Sequence, residues 1–98
     1  MFGLIAKLTI VPGRRQDVID LLVCSTRDMP GCSSYAIARD AADENVLWVT
    51  EVWDSQSAHD ASLSLRRVQE VLPQVQPLIA QFEKIATTDP VTGLNPQE

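Results

Sequence analysis

The stretch VLWVTEVW, residues 46–53, constrains the fold of this chain more than any other segment. Its pattern predicts a β-strand, because side chains along a strand point alternately to the two faces of the sheet. One face would carry Leu47, Val49, Glu51 and Trp53, and the other would carry Val46, Trp48, Thr50 and Val52. Since both faces are largely apolar, the sheet that contains this strand must be covered on both sides.

Three other segments alternate and predict strands. They are FGLIAKLTIV (residues 2–11), CSSYAIARD (32–40) and QFEKIATT (81–88). Pro12–Gly13 ends the first of them, and the polar turn DAADEN follows the second. In the last segment, strict alternation would place Phe82, Lys84 and Ala86 on one face.

Two regions between these strands have the spacing of amphipathic helices. The first is residues 14–28, which DMPG interrupts, and its buried stripe would be Val18, Leu21, Leu22 and Ser25. The second begins with Asp54 or Ser55 as its N-cap. Its stripe would be Ala58, Ala61, Ser62, Leu65, Val68, Val71, Leu72, Val75, Leu78 and Ile79. Because proline removes a backbone hydrogen bond, we expect a kink or a split near Pro73.

The order strand, helix, two strands, helices, strand predicts an α+β fold. It is that of the ferredoxin-like, split βαβ sandwich, whose helices cover one face of a four-stranded antiparallel sheet. The domain would span residues 1–88, followed by a C-terminal tail at residues 89–98. No helix is left for the second face, so the same sheet of a second copy is the simplest cover. We therefore expect a homodimer with Trp48 and Thr50 in its interface.

The composition argues against several classes of partner. The 98 residues include 8 basic and 13 acidic side chains, which gives a formal net charge of −5. The basic residues are scattered, so we expect binding neither to nucleic acid nor to an anionic membrane surface. The start MFGLIAKLTIVPG has no basic segment before its apolar run, and no apolar run is long enough to span a membrane. We therefore expect a cytoplasmic protein.

The two cysteines do not indicate a metal site. Cys24 and Cys32 do not form a CxxC motif, and a zinc site built from them and the single histidine would need carboxylates as well. The simpler interpretation is two reduced, largely buried thiols and no bound metal.

Four segments in order resemble the antibiotic biosynthesis monooxygenase family, which includes proteins described as quinol monooxygenases. They are LIAKLTIVPGRRQDVIDLL, MPGCSSYAIARD, VLWVTEVWDSQSAHDASLSL and VQPLI. The most specific parts are the PGC..Y...RD turn and strand and the E.W.S..A junction between strand and helix. The resemblance extends over nearly the whole chain, roughly residues 2–88.

The resemblance implies a dimeric α+β barrel, in which two such sheets pack face to face. It also implies an oxygenase that uses no metal and no organic cofactor, and that oxidises a quinol, an anthrone or a polycyclic phenol with O2. An electron-rich phenol, once deprotonated, can itself give an electron to oxygen. The protein would have to bind the ring, favour the anion and exclude bulk water.

Two residues are candidates for catalysis. Histidine suits proton transfer near neutral pH, and His59 is the only one in the chain. The alternative for His59 is a partly exposed position on a helix. Tyr35 would orient a phenol or quinol oxygen, or else be a buried tyrosine whose hydroxyl is satisfied within the protein.

Three further residues are candidates for contact with the substrate. Trp53 would form the wall of a flat aromatic pocket, or be a core residue at the end of its strand. Arg39 would stabilise a phenolate, or pair with a nearby carboxylate. Ser62 stands about where many family members carry a histidine, one helical turn after His59.

Glu51 shares its predicted face with Val49 and Trp53. A carboxylate in such surroundings must be paired or protonated, and it can then serve as a general base. A salt bridge across the sheet or the dimer is the simpler interpretation.

Two other functions remain open. A homodimer of this kind could bind a small aromatic ligand without catalysis. A haem-binding or haem-degrading relative is the second alternative. Haem-degrading members use an asparagine, a tryptophan and a histidine, but the matching part of the first strand has Lys7, and Asn45 and Asn95 lie in a turn and in the tail.

Overall fold

The computed structural model describes residues 1–91. Its elements in chain order are β1 (Phe2–Ile10), α1 (Arg15–Ser25), β2 (Cys32–Arg39), β3 (Val46–Trp53), α2 (Gln56–Ser62), α3 (Arg66–Val75), a 3-10 turn (Gln76–Leu78) and β4 (Ile79–Thr88). This order confirms the predicted α+β, ferredoxin-like class. The predicted tail at residues 89–98 begins after β4, and its last part, residues 92–98, lies outside the described residues.

The four strands form one antiparallel sheet in the order β2-β3-β1-β4. The odd-numbered side chains of β3 face the helices, as the alternation of its sequence predicts. Leu47 and Val49 join one core cluster with β1, α1 and α3, whose members are Ala6, Leu8, Ile10, Val18, Leu47, Val49, Val71 and Val75. A second cluster, of Met29, Trp53 and Val68, lies where β3 ends. The helix side of the sheet is therefore the buried side.

The other face of the sheet, which we call the outer face, is partly apolar. Ile5 of β1 lies opposite Thr50 of β3, with Trp48 and Val52 on either side of Thr50 on the same face. Thr50 is exposed, whereas the other three are half-buried by their neighbours in the sheet. The Trp48 indole donates a hydrogen bond of 2.8 Å to Asp40 Oδ1.

β4 does not alternate as its sequence predicts. Lys84 pairs with Ala6, but Ala86 pairs with Ile5, so Ile85 is an extra residue in the strand, a β-bulge. The bulge places Ala86 on the outer face, whereas Lys84 points to the helix side, so the prediction of one shared face was wrong. The sequence has no local marker for this bulge, because Ile85 itself favours a regular strand.

The second helical region divides before Pro73. α2 ends at Ser62 and α3 begins at Arg66, while Pro73 lies exposed inside α3. The predicted position of the split was therefore wrong. α3 continues past Pro73 because Val68, Val71 and Val75 form one buried stripe, and burial of each such side chain stabilises the fold by about 1.5 kcal/mol or more.

Two burial predictions also need correction. Cys24 is exposed on α1, so only Cys32 is partly enclosed, and both thiols are free. Ala61 is exposed on α2, because that helix is a short separate element with Ala58 and Ser62 turned inward.

Among residues 1–91, no helix is long and apolar enough to cross a membrane.

Candidate functional site

A cavity of about 730 Å³ lies between the helix side of the sheet and helices α2 and α3. Its volume is in the range that holds a small aromatic ligand. Most of its wall is apolar, with contributions from Phe2, Leu4, Leu63, Leu72, Val75 and Phe82. The cavity exists because the helices do not extend over β4, so Phe82 stays 63% exposed although it faces the helix side.

Three titratable side chains are brought together at one end of the cavity. Tyr35 of β2 and Glu51 of β3 are paired across neighbouring strands, which brings their side chains into contact range on one face. His59 comes from α2 and lines the same cavity. We call these three residues the polar end of the cavity.

Glu51 is a half-buried carboxyl group held by one hydrogen bond. The Trp53 indole N–H donates to Glu51 Oε1 at 3.0 Å. Burial raises the pKa of Glu51 above 4.5, and the Trp53 hydrogen bond and the charge of His59 oppose that rise. Glu51 Oε2 has no hydrogen-bond partner within residues 1–91. Every fully enclosed side-chain oxygen in that range has a partner, so Oε2 is not fully enclosed. Oε2 is therefore open to the cavity that Glu51 lines.

The hydroxyl of Tyr35 is open in the same way. It makes no hydrogen bond within residues 1–91, and the protein does not fully enclose its oxygen. Burial, and then the nearby charge of Glu51, raise the pKa of Tyr35 above its usual value of 10.0. Tyr35 therefore stays protonated and can donate a hydrogen bond to a ligand oxygen.

His59 is packed between two aromatic rings. Its ring centroid lies 5.5 Å from that of Trp53 with the planes at 82°, and 5.6 Å from that of Phe2. Nδ1 lies 3.1 Å from Asp60 Oδ1, and the side chain is 20% exposed. This packing fixes the imidazole at the polar end rather than leaving it free on the helix surface.

The start of α2 is positioned by a cap and by a close approach. Ser55 Oγ accepts a hydrogen bond of 3.1 Å from the Ala58 N–H, which confirms Ser55 as the N-cap. Gly31 has φ +78°, and a Cβ at this position would lie 2.6 Å from the Ala58 Cβ. Only glycine lets the 30–31 turn and α2 pack this closely, and His59 follows directly after Ala58.

The structure does not bring the three expected substrate contacts into the cavity. Trp53 is fully enclosed and lies behind Glu51 and His59. Arg39 is exposed and donates from Nη2 to Gln16 Oε1 at 2.7 Å. Ser62 is buried, and its hydroxyl donates to the His59 carbonyl at 2.6 Å. We therefore propose no direct substrate contact for any of these three.

Glu51 is the residue whose surroundings the sequence interpretation missed. A salt bridge across the sheet or the dimer was the simpler expectation, and within the single chain Glu51 forms none among residues 1–91. Its partner is a neutral indole two residues along the same strand. The available signal was Glu-x-Trp on an otherwise apolar face, because residues two apart in a strand lie on the same side.

Residues 1–74 match the antibiotic biosynthesis monooxygenase family. A Chloroflexus aurantiacus J-10-fl protein assigned to these monooxygenases is 46% identical, with 94% of each chain covered and a TM-score of 0.90. A Deinococcus radiodurans protein with the same assignment is 21% identical over 97% of each chain, with a TM-score of 0.78, and shares the fold. No curated protein sequence matches the chain.

Proposed function

This chain belongs to the antibiotic biosynthesis monooxygenase family, and from that premise we propose that it oxidises a quinol, an anthrone or a polycyclic phenol with O2, without a metal or an organic cofactor. The observation that carries the proposal is the polar end of the cavity: Tyr35, Glu51 and His59 meet at one end of a space whose wall is mostly apolar. Such a space suits a flat aromatic compound whose hydroxyl group has to lose a proton.

The proposed reaction begins with removal of that proton. The resulting anion is electron-rich and transfers an electron to O2. For an anthrone, the ring CH2 becomes C=O: one oxygen atom enters the product, and the other leaves as water with the two hydrogen atoms. The apolar wall would exclude bulk water, which strengthens every electrostatic interaction with the anion.

The polar end supplies both kinds of group that this step requires. His59 and Glu51 are able to take the proton. Tyr35 can donate a hydrogen bond to the oxygen that becomes negative. Phe2 and Phe82 offer aromatic surfaces to the ring from two strands, β1 and β4.

We further propose that two chains associate through their outer faces. The support is the partly apolar surface formed by Ile5, Trp48 and Val52 around the exposed Thr50. The helices lie on the opposite face, where the core clusters are. Association would remove this surface from water and would complete the two-sided cover that β3 requires.

The first test is oxygen uptake by chelator-treated protein with a panel of hydroquinones and anthrones, with autoxidation subtracted. Arg39→Met is the matched control, because Arg39 lies outside the cavity. Uptake by wild type and control, lost in His59→Ala, would support the enzyme and show that His59 takes part, either as the base or as the neighbour that supports Glu51. Uptake that survives in His59→Ala would keep the enzyme and assign the proton to another group. Tight binding of these compounds with no uptake would instead favour a ligand-binding protein.

A further inference from the structure

We propose that Glu51 is the catalytic residue that accepts the proton of the substrate hydroxyl, and that Trp53 is the positioning residue that holds Glu51 for this step. The inference rests on the proposed function, which leaves the proton acceptor open. Its basis is the geometry of the Glu51 carboxylate. Trp53 binds one oxygen on the core side, and the other oxygen is open to the cavity.

The indole of Trp53 fixes the orientation of the carboxylate. Trp53 is fully enclosed, so its N–H has no access to water, and it donates to Glu51 Oε1 at 3.0 Å. With Oε1 engaged, Glu51 Oε2 remains, and it is open to the cavity. A hydroxyl group that enters the polar end therefore meets an acceptor whose direction is already set.

Tyr35 supplies the complementary group. It pairs with Glu51 across β2 and β3, and its hydroxyl is open to the same cavity. A phenolic oxygen placed between them would donate its proton to Glu51 Oε2 and accept a hydrogen bond from Tyr35. As the substrate O–H bond breaks, an O–H bond forms on Glu51. The negative charge moves to the substrate oxygen, where the Tyr35 hydroxyl stabilises it.

The titratable side chains near Glu51 come from three elements. Within residues 1–91, β2 contributes Tyr35 and Cys32, α2 contributes His59 and Asp60, and β4 contributes Lys84. α1 and α3 place only uncharged side chains on the cavity. Burial raises the pKa of Glu51, which makes it a stronger base than an exposed glutamate.

His59 is the competing acceptor, because its Nε2 has no hydrogen bond within residues 1–91 and could take the proton instead. Its Nδ1 is engaged with Asp60, and its ring is held between Phe2 and Trp53. Its charge favours the ionised form of Glu51. His59 would thus support the carboxylate before the proton arrives.

The test uses a pair of ligands that differ only in whether the oxygen carries a hydrogen atom or a methyl group. 2-Naphthol can donate a hydrogen bond, whereas its methyl ether, 2-methoxynaphthalene, cannot. Affinities of both are measured by calorimetry from about pH 4 to about pH 8, where a carboxyl group with a raised pKa titrates. We expect wild type to bind 2-naphthol ~10-fold more tightly once Glu51 is ionised, because a hydrogen bond to a charged acceptor is the stronger one. The ether should bind without this pH dependence.

Variants assign the effect to Glu51. Glu51→Gln keeps the shape and the oxygen that accepts from Trp53, and it should abolish the pH dependence for 2-naphthol. His59→Gln should retain it. Trp53→Phe removes the indole N–H that lowers the pKa of Glu51, so it should move the midpoint to higher pH. A role of Trp53 in packing alone would not move that midpoint. Glu51→Asp, which keeps a carboxylate, should retain part of the effect.

Three results would overturn the inference. They are an unchanged pH dependence in Glu51→Gln, its loss in His59→Gln, and the absence of 2-naphthol binding to wild type. Oxygen uptake separates this inference from the proposed function. Uptake that is undiminished in Glu51→Gln would reject Glu51 and keep the monooxygenase. The expected binding behaviour without any uptake would keep Glu51 as a proton acceptor and reject the monooxygenase.

Discussion

The indole N–H of Trp53 donates a hydrogen bond of 3.0 Å to the carboxylate of Glu51, two residues earlier in the same strand. Both side chains point to the helix side of β3, and Trp53 is fully enclosed. This one hydrogen bond therefore gives the buried indole N–H an acceptor and orients the Glu51 carboxylate in a mostly apolar wall. Burial still outweighs this contact, since the pKa of Glu51 remains raised.

Glu51→Gln should change how the free energy of unfolding depends on pH. In the folded protein the pKa of Glu51 lies above its ordinary value of 4.5, so the folded state binds the proton more tightly than the unfolded chain does. The resulting stabilisation is complete below about pH 4.5 and is lost as pH rises through the folded pKa. Wild type should thus lose stability relative to Glu51→Gln over that interval. Urea unfolding of both proteins at a series of pH values measures the difference, and parallel curves would contradict the prediction.

Tyr35→Phe should affect ligands more than folding. The Tyr35 hydroxyl has no hydrogen bond within residues 1–91 and is open to the cavity, so its removal should change the free energy of unfolding by less than about 1 kcal/mol. If the substrate oxygen that becomes negative accepts from this hydroxyl, kcat/KM should fall ~10-fold or more, the value of one hydrogen bond to a charged acceptor. Urea unfolding and oxygen-uptake kinetics on the same samples check both parts. A large loss of stability with unchanged kinetics would show a purely structural role.

Gly31→Ala should destabilise the protein more than Gly13→Ala. Both glycines have positive φ, +78° and +82°, so each substitution costs about 1 kcal/mol in backbone strain. Only at Gly31 would the new methyl group collide, 2.6 Å from the Ala58 Cβ, whereas nothing lies within 4 Å at Gly13. The collision should displace α2, and with it His59, adding about 1 kcal/mol or more to the loss. Equal losses in urea unfolding would mean that the turn does not set the position of α2.

Thr50→Lys should dissociate the proposed dimer. Thr50 is exposed on the outer face of the single chain, so the substitution should alter the stability of one protomer by less than about 0.5 kcal/mol. In the dimer it would bury an unpaired charge in the centre of the interface. Ser64→Lys, in the exposed turn between α2 and α3, is the matched control. Sedimentation equilibrium should find dimers for wild type and control and monomers for Thr50→Lys. A monomeric wild type would reject the dimer itself.

The fold could be predicted from the sequence because the alternation of apolar side chains is repeated on neighbouring strands of the sheet. The alternation of β3 predicts its two faces, and the alternation of β1 predicts the side chains that lie opposite them. Tyr35 and His59 do line one cavity, because the strand pattern and the helix start fix their positions locally. The role of each in catalysis stays a prediction.

The features that could not be predicted depend on contacts between distant segments. The position of the break between α2 and α3 follows from how each helix packs on the sheet, and Pro73 gives no indication of it. Trp53 was expected either as a pocket wall or as a core residue, and the sequence did not show that Met29 and Val68, from other parts of the chain, enclose it in the core. The environment of Glu51 follows from the same enclosure, so composition and spacing suggested a salt bridge where the structure has an indole.

The bulge at Ile85 makes β4 unusually tolerant of a change in length. The residues on either side of it already occupy the faces that a regular strand without Ile85 would give them, since Lys84 and Ala86 pair with the adjacent residues Ala6 and Ile5. Deletion of Ile85 would leave Phe82 and Lys84 pointing toward the cavity and Ala86 pointing toward the outer face. Homologous chains could therefore differ by one residue here and keep both surfaces of the sheet.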